Sequence, residues 1–400
     1  MKRGVAITGM GIISSIGNTV EETYESLIQK KPGISRIENI ETIHKDNIKV
    51  GEVKTTNDEL IDILGLPETN SYSRTAMLSE IAAKQAVRNA NIKNINDYRT
   101  GFISATSVGG MDKTEKYNFT GFDKAENRKY IESRACSDST TKIASTLGIT
   151  DFVTTISTAC SSSANAIMLG ARMIKSGKLD RVIVGGADCL SKFTINGFNA
   201  LMILSDTDCK PFDENRNGLN LGEAAAYLVL ESDEIIKKEN KKVIAYVSGY
   251  ANANDAFHQT ASSDNGEGAT LAMKKALEVA NLRPDEIGYV NAHGTATPNN
   301  DSSESKALQR VFGKSIPNMS STKAYTGHTL AAAAAIEAVF SVLALQYNKI
   351  FPNLNFETPI TGTNIVPTVD VLDKDLNHVL SNSFGFGGNC STLIFSKSQL

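Results

Sequence analysis

The chain has 400 residues, 41% hydrophobic and 21% charged, with a formal net charge of −3. That is the composition of a globular protein with room for a sizeable core, and the near-balanced charge excludes a nucleic-acid or membrane-surface binder driven by electrostatics. Five scattered cysteines, at 136, 160, 189, 209 and 390, form neither a CxxC pair nor a zinc-type cluster, and an odd, unpaired set fits a reducing compartment.

In chain order, residues 5–8 read as a strand and 9–17 as a turn. The Gly9-x-Gly11 pair lacks the third glycine and the acidic ribose reader of a dinucleotide site, so no such cofactor is expected. The apolar run after Met1-Lys2-Arg3 is too short for a signal peptide. Residues 21–29 are helix-like, 34–72 read as polar surface excursions, 73–89 as an alanine-rich helix and 101–106 as a strand. Residues 111–140 are charged and poorly patterned, and read as a surface insertion or lid.

The most informative stretch follows. The β-branched run 153–156 predicts a buried strand. It ends in Ser157-Thr158-Ala159-Cys160, and a helix-patterned segment with apolar residues at 164, 167, 168, 171 and 174 runs to Gly177. This places Cys160 where a strand hands over to a helix N-terminus, a position that lowers a thiol pKa and suits a nucleophile; a small buried packing cysteine is the plain alternative. Strands at 181–186 and 225–230 precede a charged helix at 232–240 that makes a natural midpoint crossing. The second half repeats the outline: strands at 243–249 and 287–292, helices at 269–280 and 302–312, and a long helix at 329–346. Its five alanines, 331–335, predict close packing. No stretch reaches the ~20 apolar residues of a membrane span, and the longest candidate carries Glu337. The end reads as strand, glycine loop, strand over 379–395.

Alternating strands and helices give an α/β class with buried sheets. The segments 160–174 and 327–340 each follow a strand and a small-residue turn, so two such helices are expected back to back between two sheets. Among five histidines, His44, His258 and His378 lie in polar surroundings and read as surface residues. His293 and His328 both sit at strand-to-helix junctions, where α/β enzymes place their chemistry. One cysteine with two histidines suits acyl transfer: the thiolate takes the acyl group and neutral imidazoles donate to an oxygen gaining charge. Lys323 is placed to tune the histidines electrostatically. No fourth ligand stands out, so no metal is expected. In Ser383-Phe384-Gly385-Phe386-Gly387-Gly388-Asn389, three glycines allow close backbone approach and two aromatics can gate a pocket.

The ordered set Thr158-Ala159-Cys160, Asn291-Ala292-His293-Gly294-Thr295, Lys323 with Gly327-His328, and Phe384-Gly385-Phe386-Gly387-Gly388 resembles the elongating β-ketoacyl-acyl carrier protein synthases, over nearly the whole chain. The resemblance implies a thiolase-like fold: two similar α/β halves, residues 1–235 and 236–400, in a five-layered α-β-α-β-α arrangement. It implies a decarboxylative Claisen condensation in which Cys160 carries the acyl chain, His293 and His328 assist decarboxylation of malonyl-acyl carrier protein, and Lys323 and Glu337 form a network with them. It further implies structural support from Asp301 and Glu304, and an oxyanion hole from the amides of Cys160 and Phe384. Phe384 becomes the gate, Thr295 and Thr297 contacts for the pantetheine arm, and Phe198 and Phe386 part of the substrate pocket. The implied partners are acyl carrier protein and either a second copy or a chain-length-factor-like subunit, in the cytoplasm, with no cofactor. A thiolase-type acyltransferase, with Cys390 as second cysteine, and a non-catalytic chain-length-factor-like role are the alternatives. The chain departs from the family at Gly222-Glu223-Ala224-Ala225-Ala226, Ala331 to Ala335, Ser161-Ser162-Ser163 and Asn389-Cys390. The stretches 192–198 and 218–225 look closer to synthases of aryl-polyene and flexirubin-type pigments.

Overall fold

The computed structural model describes residues 4–117, 121 and 123–400. Among these, ten strands make one continuous sheet. The first half contributes, in chain order, Val5–Ser14, Thr100–Ala105, Phe152–Ile156, Arg181–Asp188 and Ala224–Ser232. Across the sheet they lie third, second, fourth, fifth, first. The second half contributes Ala245–Asn254, Tyr289–Asn291, Asn318–Ser320, His378–Gly385 and Asn389–Ser396, in the same order. The directions repeat too. In both halves the second strand pairs parallel with the third and fourth, and the fifth pairs antiparallel with the fourth and first. The two sheets expected from sequence meet at one short seam, where Ala6 pairs with Tyr246 and Ile7 with Ala245.

The helices Ser162–Lys175 and Ala333–Tyr347 lie between the two halves of the sheet and pack on each other. The small residues are the reason: the Ser163 hydroxyl comes close enough to accept the Ala335 N–H at 2.9 Å. The segment Leu330–Tyr347 is long and apolar enough to cross a membrane by composition, but it is buried in this central layer. Outer helices complete the layers, Arg74–Asn89 against the first half and Glu267–Ala280 with Pro298–Phe312 against the second.

Three sequence expectations change. Gly9 and Gly11 do not turn; the strand continues to Ser14. A Cβ at Gly11 would lie 2.1 Å from the Ala82 carbonyl and one at Gly9 2.4 Å from that of Ala86, so these glycines admit the Arg74–Asn89 helix against the sheet. That helix also caps the strand's loose amides: Asn89 accepts the Met10 N–H and Gln85 that of Ile12. Second, the strand before Cys160 is an edge, half-exposed at Phe152–Ile156, because it has a partner on one side only. Third, the region 111–140, apart from residues 118–120 and 122, which lie outside the described residues, is more regular than its pattern suggests: it holds the helix Met111–Tyr117, 3₁₀ turns at Ala125–Tyr130 and Glu132–Arg134, and the start of Ser137–Leu147. Its Glu115 carboxylate accepts the N–H groups of Lys192 and Phe193 and so caps the helix Lys192–Ala200, which forms part of a cavity wall described below.

Candidate active site

The Cys160 turn is built from small residues. Ser161 Oγ donates to the Thr158 carbonyl at 2.8 Å, Ser162 Oγ to that of Ala159 at 2.5 Å, and the Thr158 N–H donates to Ser162 Oγ at 2.8 Å. Ala159 takes a left-handed φ of 51°, an uncommon conformation for a residue with a Cβ. The turn therefore holds the cysteine against local preference, two residues before the helix Ser162–Lys175.

Cys160 is 6% exposed. Burial pushes its thiol up to about 11, opposed by the Phe386 main-chain N–H facing the sulfur and by the charge of Lys323. The expected lowering by the helix N-terminus is thus outweighed by desolvation, and the resting group is a neutral thiol. The amides at the sulfur are those of Phe386 and of Cys160 itself, so Phe386 stands where Phe384 was expected. The strand explains the exchange. It runs to Gly385, leaving Phe384 paired with Cys390 inside the ladder, while Phe386 begins the irregular turn beyond. Gly385 lets the loop approach: a Cβ there would meet the Thr158 carbonyl oxygen at 3.0 Å and the Cys160 nitrogen at 3.2 Å.

His293 and His328 enter from the second half, after its second and third strands. Their rings lie edge to face with centroids 5.6 Å apart, and the Phe384 ring tilts on His293 at the same distance. The main chain of His293 is gripped from both sides. Glu304 accepts the N–H of His293 at 2.9 Å and that of Gly294 at 2.8 Å, while Lys323 Nζ donates to the His293 carbonyl at 2.5 Å. The same ammonium donates to Glu337 at 2.5 Å in a buried ion pair. His328 Nδ1 accepts the Leu330 N–H at 3.0 Å, which puts the proton of the neutral ring on Nε2.

Burial, with Lys323 next in size, holds His293 well below the usual histidine range, and the same two causes take His328 down to about 3. Both rings are neutral donors at physiological pH. As pH falls through 6.5, the unfolded chain protonates its histidines before the folded one does, so the folded state loses stability on the acid side. Glu304 acts in the opposite sense: burial raises it to about 7, so its contribution weakens as pH rises through that value. We expect the wild-type denaturation midpoint to fall more steeply from pH 6.5 to 4 than that of His328→Asn, as followed by urea titration.

Asp301 accepts the Phe212 N–H at 2.7 Å and the Ala296 N–H at 3.2 Å. With Glu304 it shapes the backbone after His293, a supporting place rather than one at the sulfur. Thr295 and Thr297 share a hydrogen bond between their hydroxyls at 2.9 Å.

Cys160 sits where two cavities meet. The first, about 330 Å³, is lined by Cys160, His293, His328, Thr295, Thr297, Phe384 and Phe386 among others. The second, about 370 Å³, is almost wholly apolar, with Val108, Phe193, Gly197, Phe198 and Leu330 in its wall. Phe198 and Phe386 line both and stack at 5.9 Å between them. A larger hollow around Lys175, Tyr246 and Leu400 contains neither the cysteine nor the histidines.

Sequence reasoning missed two residues. Asp188, fully buried, accepts from Thr106 Oγ1 and Ser107 Oγ at 2.5 Å and from the Ala331 N–H at 2.9 Å, tying the central helix to the loop after the second strand. An acid closing the buried run Gly185-Gly186-Ala187 was the available signal. His258 is exposed as expected, yet it lines the first cavity, as does the buried Cys390, whose thiol burial pushes up to about 12. His44 and His378 line neither cavity.

Comparison with known proteins gives the same picture over the whole chain. Residues 2–235 match the model of the β-ketoacyl synthase N-terminal domain and residues 244–357 that of its C-terminal domain. The chain is 34% identical over 411 residues to 3-oxoacyl-[acyl-carrier-protein] synthase 2 of Staphylococcus aureus (strain N315), covering 99% of this chain and 98% of that one. Among solved structures, the ishigamide ketosynthase/chain length factor superposes with a TM-score of 0.92 at 28% identity, covering 100% of both chains. A ketosynthase of a type II polyketide synthase, bound to a hexaketide and in complex with its acyl-carrier protein, gives 0.90 at 26% identity, again over 100% of both. With its fold, its paired cavities and these matches, the chain belongs to the β-ketoacyl synthase family.

Proposed function

We propose that Cys160, His293 and His328 carry out the family's decarboxylative Claisen condensation in this chain. The observation that carries the reading is the meeting of a buried thiol with two neutral imidazoles at the junction of a cavity of mixed lining and an almost wholly apolar one. Cys160 Sγ bonds to the carbonyl carbon of an acyl thioester, the carbon–sulfur bond to the donor breaks, and the thiol proton leaves with the departing thiol. The amides of Cys160 and Phe386 receive the oxygen that gains charge in this step. Malonyl-acyl carrier protein then loses its carboxylate as CO2. The electron pair left behind collects on the thioester oxygen, which faces the Nε2–H of His328 and the ring of His293. The enolate carbon attacks the acyl-cysteine, and the released Cys160 thiolate takes back a proton from water. Lys323 keeps the imidazoles neutral, Glu337 balances its charge, and Asp301 and Glu304 hold the His293 turn. Thr295 and Thr297 are placed in the first cavity to receive a pantetheine arm, and Phe198 and Phe386 divide it from the acyl cavity.

Acyl carrier protein is the donor on this reading, in fatty acid or polyketide synthesis in the cytoplasm. The exposed edge strand Phe152–Ile156 offers unpaired main-chain groups to a second copy or a chain-length-factor-like subunit, as expected for an assembly like that of the ishigamide ketosynthase. The halves divide at 235/236 in the crossing helix Asp233–Glu239, a division supported by their repeated strand order. The narrower assignment to aryl-polyene or flexirubin-type pigment synthesis rests on the stretches 192–198 and 218–225 alone. Incubation with acyl- and malonyl-loaded carrier protein, followed by mass spectrometry, tests the function. A β-ketoacyl product with release of CO2 supports it; acylation of Cys160 with no chain extension overturns it.

The apolar cavity gives a second test. Gly197 stands at the exposed rim of the cavity wall, and a Cβ there would meet nothing within 4 Å, so a larger side chain is free to extend over the cavity. Gly197→Leu is expected to slow loading of long acyl donors on the order of tenfold while leaving the shortest unchanged, measured as acyl-enzyme formed against chain length.

A further inference from the structure

The glycine loop ends at Asn389, one of the positions where the chain departs from its family. Its Oδ1 accepts three hydrogen bonds: from Ser161 Oγ at 2.9 Å, from Asn165 Nδ2 at 3.1 Å and from Asn252 Nδ2 at 2.5 Å. Ser161 is the residue after Cys160, Asn165 lies in the first turn of the helix behind it, and Asn252 is on the neighbouring strand. The donors are themselves linked. Asn165 Nδ2 also donates to Thr158 Oγ1 at 2.8 Å, and Asn252 Nδ2 also donates to Asn165 Oδ1 at 3.0 Å. One amide oxygen therefore joins the end of the loop to both sides of the cysteine turn.

The ladder holds both ends of the loop, Asn389 pairing with Gly385 and with Asn254, but it does not fix the residues between them on the cysteine turn. Between Phe386 and Asn389 stand Gly387 and Gly388, with φ of 80° and 76°, residues with little conformational preference of their own. Their other holds face away from the turn: the Gly387 N–H donates to the Gln259 carbonyl and the Gly388 carbonyl accepts from Asp255 N–H, both at 2.8 Å. Upstream, Gly385 allows contact with the turn but supplies no side chain to fix it.

We propose that Asn389 is a positioning residue: its carbonyl oxygen docks the glycine loop on the Cys160 turn and so fixes the Phe386 main-chain N–H against the sulfur. Asn389 lines neither cavity and touches no reacting atom. Losing its acceptor removes three hydrogen bonds between the loop and the turn, whose donors keep only partners in Thr158, Asn165 and Ser391, and loosens the diglycine turn; the Phe386 amide then drifts from the sulfur. The charged and titratable groups around the sulfur, Lys323, Asp188, His293 and His328, stay as they are.

The proposal rests on Cys160 being the acyl-accepting nucleophile, and its test separates the two. In the full-length protein, the rate of Cys160 alkylation by iodoacetamide is followed against pH by intact mass, with no acyl substrate present. Asn389→Leu is expected to move the alkylation profile to higher pH, with a loss on the order of tenfold at pH 8. Asn389→Gln, which keeps an amide acceptor and adds no charge, restores most of the wild-type profile. In acyl loading from carrier protein, Asn389→Leu lowers kcat by on the order of tenfold or more with KM little changed, since misplacing a preorganised donor acts on the transition state. Asn252→Ala, an exposed partner on the far strand, shifts the profile in the same direction by a smaller amount and keeps the measurement available if the leucine variant does not fold. A wild-type profile in both Asn389→Leu and Asn252→Ala, or an equal loss in Asn389→Gln, overturns the proposal. Wild-type protein that alkylates at Cys160 but accepts no acyl group overturns the functional reading instead.

Discussion

Cys160→Ala is expected to lose all acyl transfer, whereas His293→Ala and His328→Ala are expected to load the acyl chain and fail at condensation. The division follows from the geometry. The sulfur and the two amides that face it lie on one side of the site, in the Cys160 turn and the loop at Phe386. They complete the first half of the reaction without an imidazole. On the proposed mechanism the histidine donors serve the oxygen of the decarboxylating malonyl group, and removing one such donor costs about 10²–10³-fold in rate. His328→Ala removes a ring whose tautomer is fixed by the Leu330 N–H, so its effect falls on the condensation step. Intact mass reports the acyl-enzyme and product analysis reports condensation. Equal failure of both steps in the histidine variants contradicts this division. Cys390→Ser serves as the thiolase control: it retains condensation on the present reading and loses it if Cys390 is a second catalytic cysteine.

Lys323→Met carries the second large effect, on stability as well as rate. The Lys323–Glu337 pair is buried, 2% and 1% exposed at the side chains. Removing the ammonium leaves a carboxylate in the core with no counter-charge, and breaking such a pair from one side costs about 3–5 kcal/mol. It also removes the hydrogen bond to the His293 carbonyl and the charge that helps hold both rings neutral. We expect a marked fall in the urea midpoint and loss of condensation. The double variant Lys323→Met/Glu337→Leu recovers most of the stability and none of the rate. Recovery of both in the double variant means the ion pair has no part in the chemistry.

The site was legible in the sequence where chemistry-bearing residues stand at strand-to-helix junctions. Cys160, His293 and His328 were singled out that way and line one cavity, and the alanine run 331–335 announced the close helix contact that the Ser163–Ala335 hydrogen bond records. Glycines were harder. Gly9 and Gly11 read as a turn, but they serve a helix some eighty residues away, and no local pattern carries that information. Phe384 and Phe386 are two residues apart, and the one whose amide turns to the sulfur depends on where the strand ends. Asp188 and the asparagines at 165, 252 and 389 come together from segments remote in the chain, each unremarkable in its own neighbourhood. The direction of the Cys160 shift was misjudged for a related reason: a helix terminus is visible in sequence, whereas the depth at which the thiol is buried is not.

The repeated strand order gives Cys160 and His328 equivalent stations. Each follows the third strand of its half, each comes directly after a left-handed residue, Ala159 in one case and Gly327 in the other, and each precedes one of the two central helices. The helix N-terminus after Cys160, worth about half a positive unit, begins two residues beyond the cysteine, whereas ahead of the other helix Asp188 takes the Ala331 N–H. The cysteine and the imidazole facing its cavity are occupants of the same seat in two copies of one unit. The site thus carries an electropositive background that belongs to the peptide bonds and does not titrate. It persists when every side chain around the sulfur is neutral, and because it lies inside the protein, added salt screens it little.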